Sequence, residues 1–397
     1  MGKIDELIKQ LCPKGVENIR LGDYCNILNG FAFKSKQYVP EGVRVIRISD
    51  VQDGYISSSD KKFYPKTFLE ETDKYNLYNG DLVMSLTGNC GRVAFIKHCM
   101  LPAALNQRVA CLRSKKGLDI KYLFYILFNK EFQKAAMQSA NGAGQKNLST
   151  TWLSSYTLPL PPLAVQKKIV EILDTFTGMI SNLQKELEQR QKQFEYYCEN
   201  LVGSAKGEVK TLGEIGRMER GTGLQKSDFR DTGVPCIHYG QIHTYYNTVA
   251  TETKSFCSEE LAKKLRKAKP GDLLIATTSE DVEACCKATV WLGEGEVAYS
   301  GDSFKFSHNQ NPKYIAYLFK TEAFSKQKRL CATGAKVVRV SGAAMEKFKF
   351  SFPPLDKQQE IVDKLDTFEA LISNIKQEIE LRQKQYEYYR EKLLTFE

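Results

Sequence analysis

The sequence predicts an α/β protein written twice: two tandem globular α/β domains separated by two long helices that pack as an antiparallel coiled coil, a pseudo-two-fold internal repeat. Three observations carry this. First, the phrase RQKQFEYYCENL at Arg190–Leu201 returns as RQKQYEYYREKL at Arg382–Leu393, 192 residues on. Self-similarity at a fixed offset is the signature of a repeated architecture. Second, Pro161–Leu201 and Pro353–Leu393 align without a gap, with 24 of 41 positions identical. Third, the segments ahead of them match more faintly at nearly the same offset. IRLGDYCNILNG (Ile19–Gly30) answers KTLGEIGRMERG (Lys210–Gly221), and NGDLVMSLTG (Asn79–Gly88) answers PGDLLIATTS (Pro270–Ser279). SANGAGQKNLS (Ser139–Ser149) answers CATGAKVVRVS (Cys331–Ser341). The expected boundaries are 1–160, 161–203, 204–352 and 353–397.

Each front opens with β-branched runs bounded by glycine, Val43–Val51 and Val234–Ile242, which read as strands. DLVMSLTG and DLLIATTS follow a Gly-Asp turn, and RVAFI and ATVWL come next. A helical stretch closes each front, Lys121–Gln138 and Pro312–Lys328. At about 150 residues, a front has ordinary domain size.

The repeated segments read as long helices. A proline pair precedes each, and proline suits a helix start but not its interior. Apolar residues then recur at steps of three and four: Ile169, Leu173, Phe176, Ile180, Leu183, Leu187, Phe194, Tyr197 and Leu201. The second copy has Ile361, Leu365, Phe368, Ile372, Ile375, Ile379, Tyr386, Tyr389 and Leu393. This 3.5-residue period is that of a coiled coil. At about 1.5 Å per residue, some 40 residues make a rod of roughly 60 Å. One heptad step falls on arginine in each copy, Arg190 and Arg382: a register-setting polar residue or a guanidinium reaching out to water. Antiparallel packing is favoured because it spares the two fronts from crowding at one end.

Composition bounds the function. Hydrophobic residues at 42% and charged residues at 26% supply ordinary globular cores, and no apolar run approaches a membrane span. The polar start MGKIDELIKQLCPKG lacks an apolar export signal, so a cytoplasmic location is expected. Eleven scattered cysteines and four histidines form no Cys-x-x-Cys and no zinc spacing. A net charge of +10 draws the chain toward polyanions, duplex DNA foremost. No P-loop, catalytic triad or methyltransferase signature is present, so no catalytic residue, metal or cofactor is expected in this chain.

Candidate DNA contacts lie in the loops of the fronts, in residue types that read base edges or hold phosphates. In the first front they are Lys34, Ser35 and Lys36, then Arg47, Ser49 and Asp50. Thr87, Asn89 and Arg92 follow, then Asn106, Gln107 and Arg108, then Gln145, Lys146 and Asn147. In the second they are Arg220, Thr222, Gln225 and Lys226, then His238, Tyr239 and Gln241, then Thr277, Thr278 and Ser279, then Lys336 and Arg339. Some have local alternatives. Asp50 can cap a turn, Asn147 with Ser149 can cap the next segment, and His238 can be a satisfied interior histidine.

The tandem halves, the PPLxxQxxIVxxLDTF entry, the RQKQxEYYRxKLLTF exit and the opening LCPKGVENIRLG resemble the specificity subunit of a Type I restriction-modification system. The resemblance implies that each front is a target recognition domain reading one part of a bipartite double-stranded DNA target. It implies that the helices set the spacing and dock two modification (methyltransferase) subunits, which restriction (motor–nuclease) subunits then join. S-adenosylmethionine, ATP and magnesium would belong to those partners. Cys198 stands where the repeat places Arg390, a departure that bears on whether the two docking faces are equal. The alternative is a non-catalytic coiled-coil scaffold with two nucleic-acid- or peptide-binding heads.

Overall fold

The computed structural model describes residues 6, 8, 10–68, 73–140, 146–334 and 336–396. The chain divides into two units, Met1–Asn182 with Ile379–Glu397, and Leu183–Glu378. Each unit combines one front with half of each long helix.

The first unit carries two four-stranded sheets. In one, Cys25–Asn29, Val109–Ser114, Leu82–Ser85 and Val93–Phe95 lie side by side, all antiparallel. In the other the order is Lys62–Tyr64, Val43–Ile46, Ala103–Leu105, Asn76–Leu77, with the central pair parallel. The second unit repeats this plan. Its sheets run Gly216–Arg220, Ser303–His308, Leu273–Ala276, Lys287–Trp291, Val249–Ala250, and Ser255–Cys257, Val234–Ile237, Val297–Tyr299, Lys267–Ala268. The central pair of the latter is again parallel. A short antiparallel ribbon closes each front: Asn18–Arg20 on Thr157–Pro159, and Glu208–Thr211 on Lys349–Phe352.

Two expected strands are shorter than their apolar runs. Val43–Val51 is extended only to Ile46, because the Asp50 carboxylate turns back to accept the Arg47 backbone N–H. Val234–Ile242 stops at Ile237, because His238 starts the helix Tyr239–Thr244 and its Nδ1 accepts the Gly240 N–H. The helical stretches are each two helices, Ile120–Leu127 then Lys130–Ser139, and Pro312–Leu318 then Glu322–Cys331. Thr321 caps the last of these and Asp119 and Asn311 cap the first of each pair.

The long helices are Leu163–Cys198, continued by a π-turn to Gly203, and Leu355–Leu394. The first helix contributes its residues up to Asn182 to the first unit and those from Leu183 to the second, and the second helix contributes those up to Glu378 to the second unit and those from Ile379 to the first. In the first unit Phe176 stacks on Tyr389, with ring centroids 5.2 Å apart. In the second Tyr197 stacks on Phe368 at 4.9 Å. Ile169, Leu173, Tyr386 and Leu393 join the core of the first unit, and Leu365 and Val362 that of the second. Arg190 and Arg382 are half-buried. Their guanidinium groups donate along their own helices to Gln193 and Gln385.

A buried glutamine roots each helix in its front. Gln166 is fully buried; its Oε1 accepts the Asp119 N–H at 2.8 Å, and its Nε2 donates to Gly117 O and Pro161 O. Gln358, also fully buried, repeats this with Asn311 N–H, Gln310 Oε1 and Pro353 O. Two turns on, Asp174 accepts from Lys121 Nζ and Tyr125 Oη, and Asp366 accepts from Lys313 Nζ and Tyr317 Oη. The Arg390/Cys198 difference is compensated within the units. Arg390 is buried over the rings of Phe128 and Tyr386. Opposite buried Cys198 the cation comes from the front instead: Lys320 lies over Phe194 and Tyr317 and pairs with Glu369 at 2.6 Å.

Gln166→Leu or Gln358→Leu keeps the bulk but strands the buried backbone groups each amide satisfies. Each is expected to lower stability by about 2–4 kcal/mol, read as a drop in the urea midpoint of the unit concerned. A second expectation concerns pH. His308 is half-buried at the end of its strand, with its Nε2 shielded from solvent and unpartnered among the described residues, and desolvation pushes its imidazole down to about 4 from an ordinary 6.5. A neutral histidine in the fold means stability is full above pH 6.5 and falls as pH drops toward 4, by about 3 kcal/mol in all. Unfolding midpoints measured across that window should slope in the parent and flatten in His308→Gln.

Candidate nucleic-acid interface

The loop residues singled out in the sequence fall into three groups. The first stays exposed. Lys34, Ser35 and Lys36 form an exposed turn around the 3-10 helix Ser35–Gln37. Gln225 and Lys226 occupy the same place in the second front, at Lys226–Asp228, where the Gln225 N–H donates to Asp228. Ser49, Asn89, Gln107, Arg108, Lys146, Asn147, Arg220, Lys336 and Arg339 are exposed too. Of these, Lys146 Nζ donates to Met137 O, and Arg220 Nε donates to Gly301 O with Asp302 3.7 Å away. Gln145 lies outside the described residues.

The second group is buried or half-buried and holds the loops in shape. Asp50, 3% exposed, takes both the backbone and the guanidinium of Arg47, which Asp60 also grips. Asn106 Oδ1 accepts the Arg108 N–H, fixing the Asn106–Arg108 turn. His238 and Gln241 cap one helix reciprocally, and Gln241 Nε2 donates to Ser255 Oγ. Burial, with Lys226 adding, holds His238 below its ordinary pKa, and its Nδ1 accepts the Gly240 N–H. Tyr239 N–H donates to Ser300 Oγ, and Thr277 Oγ1 to Asp302 O. Thr222 Oγ1 accepts the Arg266 N–H and donates to Lys264 O.

The third group is brought together from distant sequence. Thr87 forms a bridge with Asn147, and its Oγ1 donates to Asn147 Oδ1 at 2.6 Å. At the matching place in the second front, the strand Thr278–Ser279 pairs with Val338–Arg339, setting Arg339 opposite Thr278. The same slot therefore presents an amide in one front and a guanidinium in the other. Ser149 caps the helix after Asn147, as Ser341 does after Arg339.

Sequence reasoning missed the residues that aim these side chains. Arg92 is oriented by Gln52 Oε1 at 2.8 Å and Asp53 at 3.4 Å, some 40 residues upstream. Arg266 Nη1 donates to Arg220 O and sits beside Glu219, placing a further cation in that cluster. Neither pairing leaves a local pattern. The helix-rooting Gln166, Gln358, Asp174 and Asp366 did leave one, since both pairs are identical between the copies.

Among the described residues no group of three or more His, Cys, Asp or Glu side chains could hold a metal, and no helix is long and apolar enough to cross a membrane.

Comparison with known proteins places these features. The family model described as Type I restriction modification DNA specificity domain matches twice, at residues 13–190 and 206–381. A putative type I restriction enzyme specificity subunit of Haemophilus influenzae is 30% identical over 309 residues, covering 73% of this chain and 76% of that protein. The EcoR124I/EcoR124II specificity subunit of Escherichia coli is 30% identical over 266 residues, 62% of this chain and 65% of that one. The solved S subunit of a Type I restriction-modification system from M. genitalium shares the fold at 15% identity, with a TM-score of 0.56 and 96% of each chain covered. With a match in each half and full-length likeness in fold, the chain belongs to the family of Type I restriction-modification DNA specificity subunits, one specificity domain in each repeat.

Proposed function

We propose that each front of this DNA-specificity subunit reads one part of a bipartite double-stranded target, and that the long helices set the separation of the two parts. The observation that carries this is the shared slot of Asn147 and Arg339: one scaffold, two copies, different readers. An amide suits adenine and a guanidinium suits guanine in the major groove, so the two fronts prefer different half-sites. Linking them raises the effective concentration of the second front once the first has bound. The helix faces left uncovered by the fronts dock two modification (methyltransferase) subunits, and restriction (motor–nuclease) subunits join that assembly. The chemistry, with S-adenosylmethionine, ATP and magnesium, is left to those partners, and this chain contributes recognition without catalysis.

Selection of bound duplexes from a random pool tests the reading. A split motif is expected; enrichment of no motif would return the chain to the scaffold alternative. Arg339→Ala is expected to relax one base position in one half-site, by about 1–3 kcal/mol of discrimination, while the other half-site is unchanged. Insertion of one helical turn in both long helices is expected to lengthen the preferred gap between half-sites. A gap that stays the same would remove the helices from the measuring role.

A further inference from the structure

The turn after the strand Leu82–Ser85 contains Cys90 and Gly91. The Gly91 N–H donates to Ser85 O at 2.8 Å, and the Cys90 thiol to Leu86 O at 3.2 Å. In the second unit the same two bonds are made by Cys286 N–H to Ala276 O and by the Cys285 thiol to Thr277 O, at 2.8 and 3.2 Å. Cys285 therefore stands in the slot of Cys90, and Cys286 in that of Gly91. Gly91 has φ +86, a left-handed conformation natural to glycine. Cys286 keeps it, at φ 66, as the one non-glycine residue with positive φ among the described residues. A side chain there is strained, and such outliers gather where function requires them.

The neighbours changed with it. The slot of Leu153 holds Met345, each fully buried on the short helix capped by Ser149 or Ser341. The slot of Ala136, against which Gly91 packs, holds Lys328. Lys328 is 4% exposed; its ammonium donates to Glu283 O and Cys285 O, and among the described residues it makes no salt bridge. Cys286 Sγ now has a sulfur on either side: Cys285 Sγ at 3.9 Å and Met345 Sδ at 3.8 Å. At a metal–sulfur bond of about 2.3 Å and tetrahedral angles, two sulfur ligands lie about 3.8 Å apart. Thiolate and thioether sulfurs together select soft ions. Two thiolates and one ammonium leave a single buried negative charge, which a monovalent cation cancels.

We propose that Cys285, Cys286 and Met345 form a binding site for a monovalent soft cation of the copper(I) class, with Lys328 as its buried counter-charge. Binding deprotonates both thiols and releases two protons to solvent.

The test is a titration of the full chain with copper(I), without oxygen and against a chromogenic copper(I) chelator. One ion per chain should be retained. Cys286→Gly supplies the residue the turn uses in the first unit, so it should fold with an unfolding midpoint no lower than the parent's, yet bind copper(I) about 100-fold more weakly. Met345→Leu should weaken binding about tenfold, and Cys90→Ala should leave it unchanged. Loss of all copper(I) to the chelator by the parent chain overturns the proposal. So does parental affinity in Cys286→Gly or in Met345→Leu.

Discussion

A side-chain amide buried at the root of each long helix is the constraint on which the rest of the architecture depends. Gln166 and Gln358 each satisfy a backbone donor at a helix start in the front and a carbonyl of the proline pair that begins the long helix. A buried amide left with unmet partners is costly, so only one orientation of front on helix satisfies all of them. The aspartates two turns on, held by a lysine and a tyrosine from the front, add a second point of attachment. Two points fix a direction. The proposed measuring of a split target needs that rigidity, because a front free to swivel on its helix could not define a gap.

With the attachment repeated, the loops of the fronts were free to differ. Thr87 and Thr278 occupy equivalent backbone positions, yet one faces Asn147 and the other Arg339. The loops are aimed from below by buried polar residues such as Asp50, Asn106, His238 and Gln241, whose hydrogen bonds are spent on backbone and neighbouring side chains. This division of labour separates residues that hold a loop from residues that remain available to a partner. It also shows a compensated exchange at the helix ends. Arg390 brings a cation to the aromatic surface of the first unit, whereas in the second Lys320 brings it from the opposite side, facing Cys198.

Much of this was legible in the sequence, and what was legible was local or repeated. The 3.5-residue period, the proline pairs and the 24 shared positions announced two paired helices, because a helix seam is written in residues three and four apart. The rooting glutamines and aspartates were visible as identities, although not as contacts. The strands were overextended in the reading, since Asp50 and His238 end them by side-chain capping that an apolar run does not reveal. Likewise, Phe128–Asn129 and Phe319–Thr321 break helices inside stretches whose periodicity runs on.

The sequence by itself determined the duplication, the class of the fronts, the long helices and, through the resemblance they carry, the family. Only the tertiary structure decided which loop residues stay exposed and which are consumed as supports. Arg92 depends on Gln52 and Asp53, Arg47 on Asp60, and Thr87 on Asn147, pairs separated by 13 to 60 positions. It also decided that two adjacent cysteines, a methionine and a buried lysine converge, although they are spread from Cys285 to Met345. The physical reason is the same in each case. Periodicity records what a residue does with its own turn or strand, whereas the partner of a buried polar group is chosen by packing between segments that the chain order keeps apart.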